Sequence, residues 1–242
     1  MASETIELGE VSVEVTRKAV KHVHLAVHPP WGRVTLVAPE STRLEVARAY
    51  AISKLAWIRA QQASFQAQAR EEPREYIGRE SHYLWGRRYL LEVVERDEKP
   101  SVVVGHTWLT LTVRPGADAK RRAEVMHEWH KGLLHEVVPP LIQRWEGRLG
   151  VKVVDYFLQR MKTKWGSCNP TDGHIRLNTE LVKKPKELLD YVILHEMAHL
   201  IEPNHSPRFV ALLDKHCPHW RQRRDELNAL PLSAEDWGDE TP

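Results

Sequence analysis

His195, Glu196 and His199 stand together inside "LLDYVILHEMAHLI", residues 188–201, a run that is apolar around nearly the whole circumference of a helix. Such a segment is built for burial. Burying unpaired imidazoles and a carboxylate costs several kcal/mol, so each must find a partner or a metal. Histidines four apart share one helical face, about one turn from each other, where their ring nitrogens can converge on a single ion. Glu196, one step round the helix, reaches a water at that ion and not the ion itself. This is the H-E-x-x-H arrangement, in which the histidines bind zinc and the glutamate acts as general base.

Two helical ligands do not close a zinc site. Pro203 disfavours helix at Glu202, so the chain turns there, and His205 follows on that turn, able to swing a third imidazole back under the helix. Ser206 and Pro207 read as the N-cap and first residue of a new helix running through Phe209 to His216. The expected centre is therefore Zn2+ on His195, His199 and His205, with Glu196 as the catalytic carboxylate. Three neutral imidazoles leave the ion its full charge and an open fourth position, lowering the pKa of bound water to about 7.

Trp165, Gly166, Ser167 and Cys168 precede a turn, "NPTDG", and a short strand, "HIRLN". They predict a β-hairpin that either packs an aromatic onto the core or lines the cleft and pairs with substrate backbone, with "HIRLN" as the strand that holds the substrate extended. Cys168 shows no activating base in its neighbourhood, which argues against a nucleophile. Other histidine groups read as structure. "HEWH" at 127–130 spaces its histidines i, i+3 on a solvated helix surface; His22, His24 and His28 share a strand face without an acidic or cysteine partner; "HCPHW" at 216–220 marks a helix end.

The elements that must position these residues follow from periodicity. Thr5 to about Pro115 alternates apolar and polar in short runs divided by Pro/Gly turns, predicting a small antiparallel sheet. Leu44 to Arg70, rich in Ala, Gln, Leu and Arg, interrupts it as one long helix, 44–70. Pro and Gly cluster at Arg114–Lys120, which places a boundary near Gly116. The fold class is α+β, with a β-rich region at 1–116, a catalytic region at 117–232 holding a hairpin and the central H-E-x-x-H helix, and a loose acidic tail at 233–242.

The chain has 242 residues, enough to bury a core without disulfides or metal. Its 35 basic and 33 acidic side chains are too balanced to indicate nucleic acid as the main partner. Two cysteines outside any Cys-x-x-Cys pair indicate neither a disulfide scaffold nor a cysteine zinc module. No apolar run approaches the roughly 18–20 residues of a membrane span, and the start lacks a secretory signal, so a cytoplasmic location without membrane partners is expected.

"KTKWGSC", "GHIRLN", "LDYVILHEMAHL" and "NHSPRF", in that order, together with the looser "YLWGRRYLLEV", resemble the motifs of the YgjP-like metal-dependent hydrolases, a zincin-type metallopeptidase family related to the WLM and SprT-like groups. The resemblance spans about residues 20 to 230. It implies His195, His199 and His205 as metal ligands, Glu196 as catalytic carboxylate, and Trp165, Gly166, Ser167 and Cys168 as cleft wall. The spacing to His205 is similar to that of metzincins, but those carry glycine where this chain has Glu202, and no downstream methionine turn follows. A gluzincin would draw its third ligand from a later helix, where Asp214 or Glu226 could serve.

The expected activity is zinc-dependent hydrolysis of a peptide or protein. Seven basic residues against two acids between Arg160 and Lys186 suit anions and keep open a nucleoside triphosphate pyrophosphatase using the same water and glutamate. A third reading is a non-catalytic module in which zinc clips two helices and the basic rim holds nucleic acid; structural zinc, however, takes four protein ligands and has no use for Glu196.

Overall fold

The computed structural model describes residues 3–28, 32–67, 70–71, 74–161, 164–229 and 232–233; the expected acidic tail at 233–242 lies, but for Ser233, outside the described residues. The chain divides after Glu71 into two compact units. In the first, strands β1 (Ser3–Leu8) and β2 (Val11–Lys18) form a hairpin. Its turn needs Gly9 at φ 69°, a region glycine enters without steric cost. Strands β3 (His24–His28) and β4 (Arg33–Pro39) form a second hairpin, and β4 slots between β2 and β3.

β2 and β4 therefore run parallel, with Val13 opposite Val34 and Lys18 opposite Pro39, so the sheet is mixed where an antiparallel one was expected. Alternation reveals strands and their buried faces but not which strand lies beside which. One face, with Val11, Val13, Val15, Val34, Leu36 and Ala38, is buried in a core shared with Ala47, Ala51 and Ile58 of helices α1 (Leu44–Ser53) and α2 (Leu55–Ala67). The expected single helix is thus two. At the break, Ser53 Oγ donates to the Tyr50 carbonyl at 2.7 Å and Lys54 N–H to that of Ala51 at 3.1 Å. Both tighten the turn in place of α-helical bonding.

After the two-residue strand β5 (Arg70–Glu71), the second unit opens with another mixed sheet: β6 (Ser81–Leu84), β7 (Arg87–Glu95), β8 (Ser101–Val104) and β9 (Trp108–Val113) in the order β6-β7-β9-β8. Gly116, where the sequence suggested a boundary, is a positive-φ turn residue inside this unit. The sheet ahead of it and the helices behind it fill one core, in which Leu91, Leu109 and Leu111 join Leu134, Leu189 and Ile193. Helix α3 (Ala119–Leu149) starts at Asp118, whose carboxylate accepts the Arg121 N–H at 2.8 Å, and ends at Gly150. Its buried stripe Met126, His130, Leu134, Val138, Ile142 and Trp145 follows the helical period.

Strands β10 (Asp155–Gln159), β11 (Gly166–Asn169) and β12 (His174–Asn178) make a small sheet in the order β10-β12-β11. A 3-10 turn, Thr179–Lys183, then leads into α4 (Lys186–Ala198), α5 (Pro207–His216) and α6 (Trp220–Ala229), with the short β13 (Leu232–Ser233) last. α4 is buried on most of its circumference, as its sequence demands. Trp145 of α3 donates its indole N–H to Asp190 of α4 at 2.7 Å, fixing one helix on the other. Among the described residues no helix is long and apolar enough to cross a membrane.

Candidate metal centre

α4 carries His195 in its last turn and His199 at its C-cap, where the backbone is still helical (φ −66°, ψ −19°). Their ring centroids are 5.1 Å apart. Past His199 the N–H groups of Leu200 and Ile201 bond carbonyls three residues back, so the helix tightens and ends ahead of Pro203. The following turn brings His205 Nε2 to 3.1 Å from His195 Nε2 and its ring to 4.7 Å from that of His199. The three histidines each offer a ring nitrogen, all within 4.8 Å of one another.

Ser206 caps α5 by accepting the Phe209 N–H at 3.3 Å, and this seats Phe209, 1% exposed, against all three imidazoles. Its ring centroid lies 5.0, 4.5 and 4.8 Å from those of His195, His199 and His205. The sequence reading missed Phe209 as a site residue. The only trace was its place early in a capped helix directly after the third histidine.

The residues fit a divalent cation. His199 Nδ1 lies 3.1 Å from the Glu202 carbonyl oxygen, which makes Nδ1 the protonated nitrogen and leaves the Nε2 lone pair to point elsewhere. Burial, then the neighbouring His199 and His205, bring His195 down to about 4, and burial also lowers His199. These two rings are therefore neutral at pH 7, as ligands must be. His195 Nδ1 is buried without a partner among the described residues. Three imidazole nitrogens within 4.8 Å of one another are a donor set of the kind that zinc takes. Asp214 is engaged elsewhere: it accepts from the Trp220 indole at 2.8 Å and from Arg221 at 2.5 Å.

Glu196 is 6% exposed, and burial raises its carboxyl to about 8, with Lys164 opposing the shift. A nearby cation favours the carboxylate form of such a group. Glu196 rests directly on β11. A Cβ built at Gly166 would come within 2.7 Å of Glu196 Oε1 and 2.8 Å of its Cγ, so glycine is needed there for close approach and not for backbone freedom.

Trp165, Gly166, Ser167 and Cys168 line a cleft of about 590 Å³ together with the three histidines and Glu196. Asn178, fully buried, holds this wall through its amide, which donates to the carbonyls of Met161 and Lys164 at 2.8 Å each. "HIRLN" cannot hold a substrate strand as expected: as β12 it is central, parallel to β10 on one side and antiparallel to β11 on the other, so both its edges are used. Among the described residues β10 and β11 are the edge strands of this sheet, and β11 is the one that lines the cleft. The Asn178 N–H bonds the Trp165 carbonyl at 2.9 Å, so by antiparallel alternation the backbone groups of Gly166 and Cys168 face away from β12. Burial and the Glu196 charge raise the Cys168 thiol to about 11, leaving it un-ionised and a poor nucleophile.

The basic run between Arg160 and Lys186 does not form one rim. Arg160 donates to His127 at 3.1 Å, Lys183 is buried on Glu180 at 2.6 Å, and Lys184, Arg176 and Lys186 lie over Trp165, Phe157 and Trp85. Of the described members only Lys164 lines the cleft; Lys162 lies outside the described residues. Among the described residues no second cluster of metal-ligating side chains occurs, so His22, His24 and the 127–130 histidines remain apart from any such group.

No curated protein sequence matches the chain. Among solved structures it is similar to two metallopeptidase zymogens. One is abylysin of Pyrococcus abyssi, 22% identical over 38% of this chain and 91% of that one, TM-score 0.36. The other is jannalysin of Methanocaldococcus jannaschii, 24% identical over 36% and 93%, TM-score 0.32. The model of the YgjP-like metallopeptidase domain matches residues 21–230, from ahead of β3 past the end of α6. Metallopeptidases use a divalent metal and act on peptides or proteins, which agrees with a triad of neutral imidazoles beside a buried glutamate; with most of its length matched, the chain belongs to the YgjP-like family.

Proposed function

We propose that the chain is a zinc-dependent peptidase of zincin type, with His195, His199 and His205 as ligands and Glu196 as general base. The observation that carries this reading is the convergence of three imidazole nitrogens within 4.8 Å at the end of one helix, with Glu196 buried beside them. Zinc, when bound, supplies Lewis acidity that makes water acidic near pH 7 and polarises a carbonyl. Glu196 Oε1 or Oε2 takes the proton of the attacking water and returns it to the leaving amine. The substrate lies extended along β11, its backbone paired with the outward groups of Gly166 and Cys168. Phe209 holds the three rings in mutual orientation from below, and Trp165 closes the cleft at its β11 end.

Dispersal of the basic run weakens the argument from sequence for a phosphoanhydride substrate, since among its described members only Lys164 lines the cleft. The test is to supply zinc to the metal-free protein and follow unfolded protein or peptides and, in parallel, nucleoside triphosphates, with and without chelator. Peptide cleavage that zinc restores is expected, with triphosphates untouched. Glu196→Gln is expected to keep about one zinc per chain and lose hydrolysis by more than about 10²-fold, the lower range for removing a general base. Unchanged turnover in that variant would assign the activity to another site.

A further inference from the structure

The cleft is lined by α6 as well as β11, and what α6 presents there is not absorbed by the hydrolytic machinery. Arg224 and Asn228 stand one helical turn apart on the same face, flanking the buried Leu227, and all three line the cleft that holds the histidines. The guanidinium of Arg224 lies 5.3 Å over the ring of Trp220. That ring is a fixed shelf, 8% exposed, with its indole N–H bonded to Asp214 at 2.8 Å. The carboxylate bonded to Arg224 is its sequence neighbour Asp225, at 2.9 and 3.0 Å, with the two side chains 49% and 66% exposed. Such exposed pairs are worth about 0–1 kcal/mol and are readily exchanged for a ligand carboxylate that Arg224 can grip through two N–H groups.

The rest of the cleft has the same bias. Lys164 lines it too, and among the described lining residues Glu196 is the only acid. Tyr191, whose ring is 5.9 Å from that of His195, lines the same cleft. A cation on an aromatic shelf, an amide one turn away and the three histidines thus line one cleft.

We infer that Arg224, assisted by Asn228, binds a carboxylate of the peptide substrate and so selects substrates carrying an acidic side chain or a free C-terminus at a fixed distance from the cleaved bond. This deepens the peptidase reading and rests on it. An Asp or Glu side chain and a terminal carboxylate offer the same two oxygens, and the experiment separates them.

The zinc-loaded full chain is given matched peptide sets: Glu against Gln and Asp against Asn at each position around the cleaved bond, every peptide with a free and with an amidated C-terminus. One carboxylate position, internal or terminal, is expected to raise kcat/KM by about 10- to 100-fold, mostly through KM, the range of a charge-assisted bidentate contact. Arg224→Gln should bring that peptide to the level of its amide counterpart, Arg224→Lys should keep part of the preference, and Arg224→Glu should favour Lys or Arg at the same position. Zinc content and melting temperature of each variant show that the fold persists. If the wild-type protein cleaves peptides with no preference at any carboxylate, or Arg224→Gln leaves the ratio unchanged, this inference falls and the peptidase reading stands. If the zinc-loaded wild type cleaves no peptide, both fall together.

Discussion

The sheets β1–β4 and β6–β9 share one construction and serve different ends. Each begins with a tight hairpin, adds a second hairpin, and places its fourth strand parallel to its second, giving the orders β1-β2-β4-β3 and β6-β7-β9-β8. Each is followed by helix. In the first unit the hairpin turn at Gly9 meets open space, and the sheet shares its core with α1 and α2. In the second the equivalent turn, Trp85-Gly86, is clamped. Trp85 N–H donates to the Val182 carbonyl at 2.8 Å and Gly86 N–H to that of Lys183 at 3.1 Å, and a Cβ at Gly86 would lie 2.8 Å from Pro185 Cγ.

Both turn residues have positive φ, 50° and 79°, the pattern of a type I′ hairpin, in which Trp at the first position is costly. Two hydrogen bonds and Lys186, 5.1 Å over the Trp85 ring, hold it there. The bonded carbonyls belong to the segment that enters α4. A common sheet design thus becomes part of the scaffold of the candidate metal centre through where its turn docks, and the turn holds the segment leading into the helix that carries His195, Glu196 and His199.

Equal damage to the two cores should separate them. Phe209→Ala in the second unit and Ile58→Ala in the first each remove a fully buried side chain and should cost about 3–5 and 2–5 kcal/mol respectively. Only Phe209→Ala should also weaken zinc binding, by at least about 10-fold, as read by competition with a chromophoric chelator. Loss of zinc affinity in Ile58→Ala would break the division of labour.

The turns give a smaller and sharper contrast. Gly9→Ala imposes positive φ in open space and should cost about 1 kcal/mol. Gly86→Ala adds overlap with Pro185 and should cost about 2–3 kcal/mol, with a fall in zinc affinity. Denaturant titration of both variants checks this, and equal costs would show that the clamp carries no strain.

The contrast also marks what a sequence discloses. α4 was legible because apolar residues on every side of a helix leave His195, Glu196 and His199 in need of partners, and Pro203 and the Ser206-Pro207 cap are local signals with local causes. The fold class held at the level of mixed α and β. The parallel pairs β2–β4 and β7–β9 were hidden because alternation is the same for either neighbour. Phe209 and Arg224 were hidden because their surroundings are made by α5 and α6 packing on α4, not by adjacent residues. The run from Arg160 to Lys186 misled for the same reason: charge close in sequence was spent on Glu180, His127 and three aromatic rings distant along the chain or across a strand pair.

The smallest expected difference is in pH. Among the described residues the histidines with lowered basicity lie in the second unit. Burial, followed by the charge of Arg160, brings His127 down to about 4, and burial holds His130 well below its ordinary value. His127 Nδ1 accepts from Arg160 Nε at 3.1 Å, an acceptor role that protonation ends. The unfolded chain takes up a proton near pH 6.5 and the folded chain only near 4, so this contribution is fully present above about 6.5 and is lost as pH falls to about 4. In zinc-free protein, His127→Gln leaves an amide oxygen for Arg160 and should flatten the stability curve across that window, since glutamine does not titrate. His130, also lowered by burial, still titrates differently in the folded and unfolded chain, so some acid sensitivity must remain. Denaturant midpoints at pH 7.5 and 4.5 measure the effect, and an unaltered difference between them would show that His127 is solvated in the folded state and free to charge.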